Sequence, residues 1–243
     1  MTGDGPRRLM RSPRSIDIDI TTRCNLRCSY CYHFNSPGDV EDDLPTAEWL
    51  TFFEELGNLA VMEVSLAGGE PFLRKDLVDL LQGIAENKMR FSIISNGTLI
   101  TDTLAEEVAS TRRCNTVQVS IDGASPIVHD SCRGSGSFHR AIAGIRCLQD
   151  HDIPVSVRVT IHHKNVRDLE NIAALLLDTL DISSVSTNAA DYFGLCQQNA
   201  ADVNLTIEDR MIAMNTLLNL SNQYPGRISA NAGPLAEARM FQE

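Results

Sequence analysis

Short β-rich runs and longer segments of helical periodicity alternate six times along this chain, and no other feature narrows its possible folds as much. Ser15-Ile16-Asp17-Ile18-Asp19-Ile20 alternates polar with β-branched apolar residues, as a strand buried on one face does. Further runs lie at Val61 to Ala67, Phe91 to Ser95, Thr116 to Asp122, Val155 to Ile161 and Ser183 to Asn188. Between them, Asp76 to Glu86 sets Leu77, Leu80, Leu81 and Ile84 on one helical stripe. Thr103-Leu104-Ala105-Glu106 has the form of a capping box, and Thr206-Ile207-Glu208-Asp209 is a weaker version. The alternation predicts a parallel sheet whose right-handed crossovers close it into a full or partial β/α barrel. Functional loops then sit at the C-terminal ends of the strands.

Three of the seven cysteines crowd into the loop after the first strand, as Cys24, Cys28 and Cys31 in the spacing C-x3-C-x2-C. Four thiolates would fill a [4Fe–4S] cluster, so three leave one iron open to another ligand. A zinc knuckle, which His33 would complete as Cys3His, and a redox pair are the other readings; they want a fourth soft ligand or a CxxC at a βαβ start. The later strand ends carry Ala67-Gly68-Gly69-Glu70-Pro71, Ser95-Asn96-Gly97 and Ser120-Ile121-Asp122-Gly123, followed by Arg133-Gly134-Ser135-Gly136-Ser137-Phe138. Two glycines admit a close backbone approach, and the carboxylate beside them can accept from an ammonium, although Gly-Gly before Glu-Pro also makes an ordinary turn. Ser, Asn and Asp at strand ends can bond ribose hydroxyls or an amino-acid group; they also cap helices and turns.

This ordered set, from about Thr21 to Phe138, resembles the radical S-adenosylmethionine (radical SAM) enzymes, above all those that mature peptides and proteins. The resemblance implies a partial (β/α)6 TIM-like barrel holding a [4Fe–4S] cluster on Cys24, Cys28 and Cys31, with SAM on its open iron. By the same resemblance Gly68, Gly69 and Glu70 hold the SAM amino group. Ser95, Asn96, Ser120 and Asp122 contact SAM, and Arg133 pairs with its carboxylate; on the residues alone, a pairing with Asp130 or a solvent-facing role is the alternative for Arg133. Tyr30 packs near adenine. The implied reaction reduces the cluster with an external donor of flavodoxin or ferredoxin type, cleaves SAM to a 5′-deoxyadenosyl radical and abstracts hydrogen from a peptide. Maturation of a small cofactor of the molybdopterin, haem or quinone type is one alternative, and a non-enzymatic electron-transfer or scaffold protein is the other.

Relatives of this group carry a C-terminal SPASM or twitch extension with auxiliary clusters, whereas no cysteine follows Cys196 here. The expected organisation is therefore a flexible basic tail over 1–14, a barrel over 15–225, and the start of a C-terminal extension over 226–243, in a chain that is either a minimal core lacking the auxiliary-cluster domain or one truncated before it. A peptide would dock on the barrel or on a separate leader-peptide-binding protein. Cys196, after the sixth strand, is a candidate hydrogen-atom donor, with Asp191 and Tyr192 as candidate substrate contacts. Cys114, Cys132 and Cys147 read as ordinary free thiols. The odd cysteine count without a secretory signal fits a cytoplasmic protein. A formal charge of −11 argues against nucleic acid, and no apolar run is long enough for a membrane span.

Overall fold

The computed structural model describes residues 12–35 and 40–240. Of the basic tail expected over 1–14, the first eleven residues lie outside that description, as does Phe241. In chain order the elements are β1 (Ser15–Thr21), α1 (Thr46–Asn58), β2 (Glu63–Gly68), α2 (Leu77–Glu86), β3 (Arg90–Ser95), α3 (Asp102–Ser110), β4 (Cys114–Ser120), α4 (Pro126–Arg133), α5 (Ser137–Asp150), β5 (Val155–Ile161) and α6 (Leu169–Ala173). A π-helical turn, Ala174–Thr179, extends α6. Then follow β6 (Ser184–Ala189), α7 (Leu195–Gln198), α8 (Ala200–Val203), α9 (Ile207–Gln223), β7 (Ile228–Ser229) and α10 (Pro234–Met240).

All seven strands join one sheet in sequence order, and every neighbouring pair is parallel. Among the described residues β1 and β7 do not pair, so the sheet is an open, partial barrel. The seventh strand is two residues long, too short to show as a periodic run. It lies in the stretch expected to open the C-terminal extension.

One face of each strand is apolar and packed under helices. Val64, Leu66, Phe91, Ile93, Val117, Val119, Val157, Val159 and Val185 belong to one buried cluster with Leu77, Leu80, Leu81 and Ile84 of α2. The period-two alternation therefore sends the intervening residues to the inner face: Ser65, Ser92, Gln118, Ser120, Ser156, Arg158, Ser186 and Asn188. Closed barrels of this type fill their interior with branched apolar side chains. Here the inner face is polar.

Three local expectations shift. Helix α3 is capped by Thr101, whose hydroxyl accepts from Leu104 N at 3.3 Å, and Thr103 falls inside the first turn. At α9 the weaker-looking signal is a complete capping box: Thr206 Oγ1 accepts from Asp209 N at 3.1 Å, and Asp209 accepts from Thr206 N at 3.1 Å. Strand β4 also begins and ends two residues earlier than expected, because pairing with β3 starts at Cys114. Asp122 is thereby moved into the exit loop.

Asp209 also accepts from His163 Nδ1 at 2.6 Å and Arg167 Nη1 at 2.9 Å. Burial would raise its carboxyl, but His163, Thr206 and Arg167 outweigh that and hold it at about 2, below the ordinary 3.8. A depressed acid stabilises the fold above its ordinary value and loses that contribution as pH falls from 3.8 through about 2. Asp209→Asn is expected to cost about 2 kcal/mol at neutral pH. In urea melts across pH the gap to wild type should close below pH 4; a constant gap refutes the charge-based account. Leu80, 0% exposed, should cost about 2–5 kcal/mol on change to Ala, whereas Ile127→Ala, at an 86% exposed position, should stay within about 0.5 kcal/mol by the same melts.

Candidate active site

The cysteine loop leaves β1 at Thr21 and is fastened to the exits of the next three strands. Gly69 N–H donates to Thr21 O at 2.8 Å, and Glu70 N–H to Arg23 O at 2.7 Å. A Cβ on Gly69 would lie 2.1 Å from the Arg23 carbonyl oxygen, and one on Gly68, at φ +122°, 2.2 Å from that of Thr21. Glycine at both positions is what lets one backbone lie against the other. From the β3 exit, Asn96 Nδ2 donates to Asn25 Oδ1 at 2.9 Å and approaches Cys24 Sγ at 3.8 Å. From the β4 exit, Asp122 Oδ2 accepts from the Tyr30 hydroxyl.

Two helices complete the frame. Ser29 N donates to Cys132 O of α4 at 2.9 Å, and Leu195 N of α7 donates to Cys31 O at 2.9 Å. The loop is thus held on every side that faces the barrel.

Cys24, Cys28 and Cys31 are free, half-buried thiols. Burial first, then Cys31 and Cys24 against the opposing Arg133, pushes Cys28 up to about 12. Cys24 is raised by burial, with Glu70 and Cys31 adding. Cys28 therefore feels both other sulfurs, and the Arg133 cation beside it favours its thiolate. Among the described residues no three His, Cys, Asp or Glu side chains converge on one ion, and the His33 Nδ1 faces Asp19 Oδ2 at 3.9 Å. Three soft ligands grouped on one loop without converging on a point suit a multi-iron cluster better than a lone zinc.

Glu70 is fully buried. Its Oε1 accepts from Ser95 Oγ at 2.7 Å and Phe72 N at 3.2 Å, and its Oε2 from Asn96 N at 2.7 Å. Burial outweighs these donors and raises the carboxyl to about 7. Asp122 is buried equally deeply. Its Oδ1 accepts from Thr160 N at 2.8 Å, and its Oδ2 from Arg133 Nε at 2.5 Å besides Tyr30. Burial would raise this carboxyl; the Arg133 guanidinium, then His162, holds it below the carboxylate range. Arg133 is in turn held above its ordinary value by Asp122, against burial. Asp130, the other expected partner of Arg133, instead accepts from Gly136 N at 2.6 Å and Phe138 N at 2.9 Å.

Around this ion pair lie groups that sequence motifs did not mark. His129 Nδ1 accepts from Asp122 N at 3.1 Å, and His162 stacks on Tyr30 with ring centroids 5.5 Å apart. Both imidazoles are lowered to about 4, by burial first, and so stay neutral. Nothing in their spacing relates them to the cysteines; only folding brings them there.

The remaining expected residues divide. Ser120 stands on the inner face at the end of β4. Asp191 and Tyr192 line a cavity of about 380 Å³ with Asn188, Asn204, Arg210 and Glu237. Cys196 is fully buried, its thiol 3.6 Å from Asn204 Oδ1 and packed with Cys132 and Val203, and it does not line that cavity.

An open parallel barrel with a three-thiol loop at the C-terminal ends of its strands defines a class of cluster-binding α/β proteins. The family model of the radical SAM superfamily matches residues 18–176, and the chain belongs to that superfamily. Membership brings a [4Fe–4S] cluster and SAM as cofactors. The chain is similar to the PqqA peptide cyclase of Bradyrhizobium diazoefficiens, 27% identical over 89% of this chain and 57% of that protein. It is also similar to the Fe-coproporphyrin III synthase of Methanosarcina barkeri, 36% identical over 65% of this chain and 39% of that protein. Among solved structures, Streptococcus suis SuiB bound to its precursor peptide SuiA superposes with a TM-score of 0.77 at 16% identity, covering 95% of this chain and 51% of SuiB. The chain thus spans about half the length of the proteins it matches. Among the described residues no helix is long and apolar enough to cross a membrane.

Gly69→Ala is expected to lose most of the iron that wild type takes up on anaerobic reconstitution, measured as iron and sulfide per chain, with far-UV circular dichroism unchanged. Full loading would show that the backbone approach at Arg23 is dispensable.

Proposed function

We propose that this chain is the core of a radical SAM enzyme that modifies a peptide. The observation that carries this reading is the joining of the cysteine loop to Gly69–Glu70, Asn96 and Asp122 at a single rim, above a polar inner face. When bound, the cluster and SAM supply a 5′-deoxyadenosyl radical from one electron delivered by an external donor of flavodoxin or ferredoxin type.

The protein's own part is binding and orientation. Cys24, Cys28 and Cys31 hold the cluster. Gly68, Gly69 and Glu70, with Ser95 and Asn96, face the SAM amino group. Ser120 faces the ribose. Arg133 would pair with the SAM carboxylate through its terminal nitrogens, which make no hydrogen bond among the described residues, while its Nε is on Asp122. Asp122 and Tyr30 fix the loop against the sheet, with the Tyr30 ring beside adenine. Asp191 and Tyr192 meet substrate at the cavity wall. Cys196 donates hydrogen in this scheme only when the α7 segment opens, since its thiol is buried. A separate leader-peptide-binding protein is a further proposed partner.

The likeness to a peptide cyclase over 89% of the chain supports the peptide reading. The 36% identity to an Fe-coproporphyrin III synthase supports a second reading, in which a small cofactor precursor is the substrate. Anaerobically reconstituted protein given SAM and dithionite should release 5′-deoxyadenosine, read by mass spectrometry, and a Cys24, Cys28, Cys31→Ala triple variant should release none. Equal output from both, or none from a cluster-loaded wild type, refutes the enzyme reading and leaves an electron carrier or scaffold. Release that rises only on addition of a tetrapyrrole precursor, and not of a peptide, moves the substrate to the second reading.

A further inference from the structure

Beyond Ser120, the inner face of β4 to β6 carries a group of polar side chains that the cofactor site does not use. Ser120 pairs in register with Arg158, and Arg158 with Ser186, so the guanidinium stem rises between two serines on neighbouring strands. Gln118 lies on the same face of β4, two residues before Ser120, and Asn188 lies two residues after Ser186. Four buried polar atoms here have no hydrogen-bond partner among the described residues: Gln118 Oε1, Arg158 Nε, Ser186 Oγ and Asn188 Oδ1. Buried polar atoms are rarely left unpaired, and an open polar face is where a ligand or water supplies the missing partner.

The charge balance sharpens this. The chain has 32 acidic residues against 21 lysines and arginines, yet Arg158 makes no salt bridge among the described residues. Arg133, by contrast, is matched to Asp122, and Arg210 to Glu237. Asn188 also lines the cavity of Asp191 and Tyr192, so the group continues into that space.

The unpaired atoms divide by chemistry. A guanidinium with a flanking serine hydroxyl donates, and a planar fork of donors matches a carboxylate. Gln118 Oε1 and Asn188 Oδ1 accept, and a backbone amide N–H is the donor that a peptide brings.

We propose that Arg158, with Gln118, Ser186 and Asn188, forms a recognition site for an acidic side chain of the peptide substrate, anchoring it inside the barrel below the cysteine loop. This rests on the peptide reading above. It makes Arg158 a specificity-determining residue: the acidic anchor fixes which neighbouring carbon is presented to the radical.

The test uses the full chain, reconstituted and SAM-loaded, with N-acetyl-glutamate N-methylamide and its glutamine counterpart as probes, titrated by saturation-transfer NMR. Wild type should bind the glutamate probe at least about tenfold tighter than the glutamine probe, the scale of a charged hydrogen bond. Arg158→Gln should abolish that preference, Arg158→Lys should retain part of it, and SAM affinity by equilibrium dialysis should stay within about twofold in both, on the same charge scale. Circular dichroism melts confirm that the variants fold. No preference for the glutamate probe in wild type overturns the proposal. So does a tenfold or greater loss of SAM affinity in Arg158→Gln with the probe preference intact, which assigns the arginine to the SAM carboxylate instead. Neither readout needs turnover, so the two tests fail separately: absence of 5′-deoxyadenosine counts against the radical chemistry, and absence of the glutamate preference counts against this site.

Discussion

A carboxylate buried without a counter-charge costs several kcal/mol, and Asp122 avoids that cost only because residues from three elements converge on it. Thr160 at β5, Arg133 at the end of α4, Tyr30 in the cysteine loop and His129 at its own amide each meet this one residue. Removing any of them leaves a polar group stranded in the interior. The pair Asp122–Arg133 therefore acts as the fastening between the sheet and the loop that carries the thiols, and the geometry of the cofactor end follows from it.

The same economy explains why the two carboxylates of the site differ. Glu70 receives three donors but no paired cation, and burial raises it to about 7. Asp122 has the guanidinium and stays ionised. One carboxyl is poised near neutrality beside the cysteines, where an incoming cationic group would favour its charged form. The other is spent on structure. The polar inner face belongs to the same division, since an interior filled by branched apolar residues would leave no room for a substrate beside the cofactors.

Much of the fold was legible in the sequence, because alternation with period two and period 3.6 reports which face of each element is buried. Six strands, their parallel order and the α2 stripe are read that way. The boundary of β4 was not, since Thr116 to Asp122 is β-rich throughout and only pairing with β3 decides where the ladder stops. The α3 cap was misplaced at Thr103 because two threonines stand two residues apart, and backbone geometry at Thr101 settles which hydroxyl meets Leu104 N. Strand β7 had too few residues to show.

The sequence by itself determined the barrel class, the three-thiol loop and the family, because ligand spacing and hydrophobic period are local properties of the chain. It also marked Glu70, Asn96, Asp122 and Arg133 as belonging to the site. What each does was decided only in three dimensions. Whether Arg133 meets Asp122 or Asp130, whether the Cys196 thiol is buried, and that Arg158, between Ser120 and Ser186, makes no salt bridge among the described residues all depend on which strands lie side by side. Those contacts join residues far apart along the chain, and a one-dimensional pattern carries no record of them.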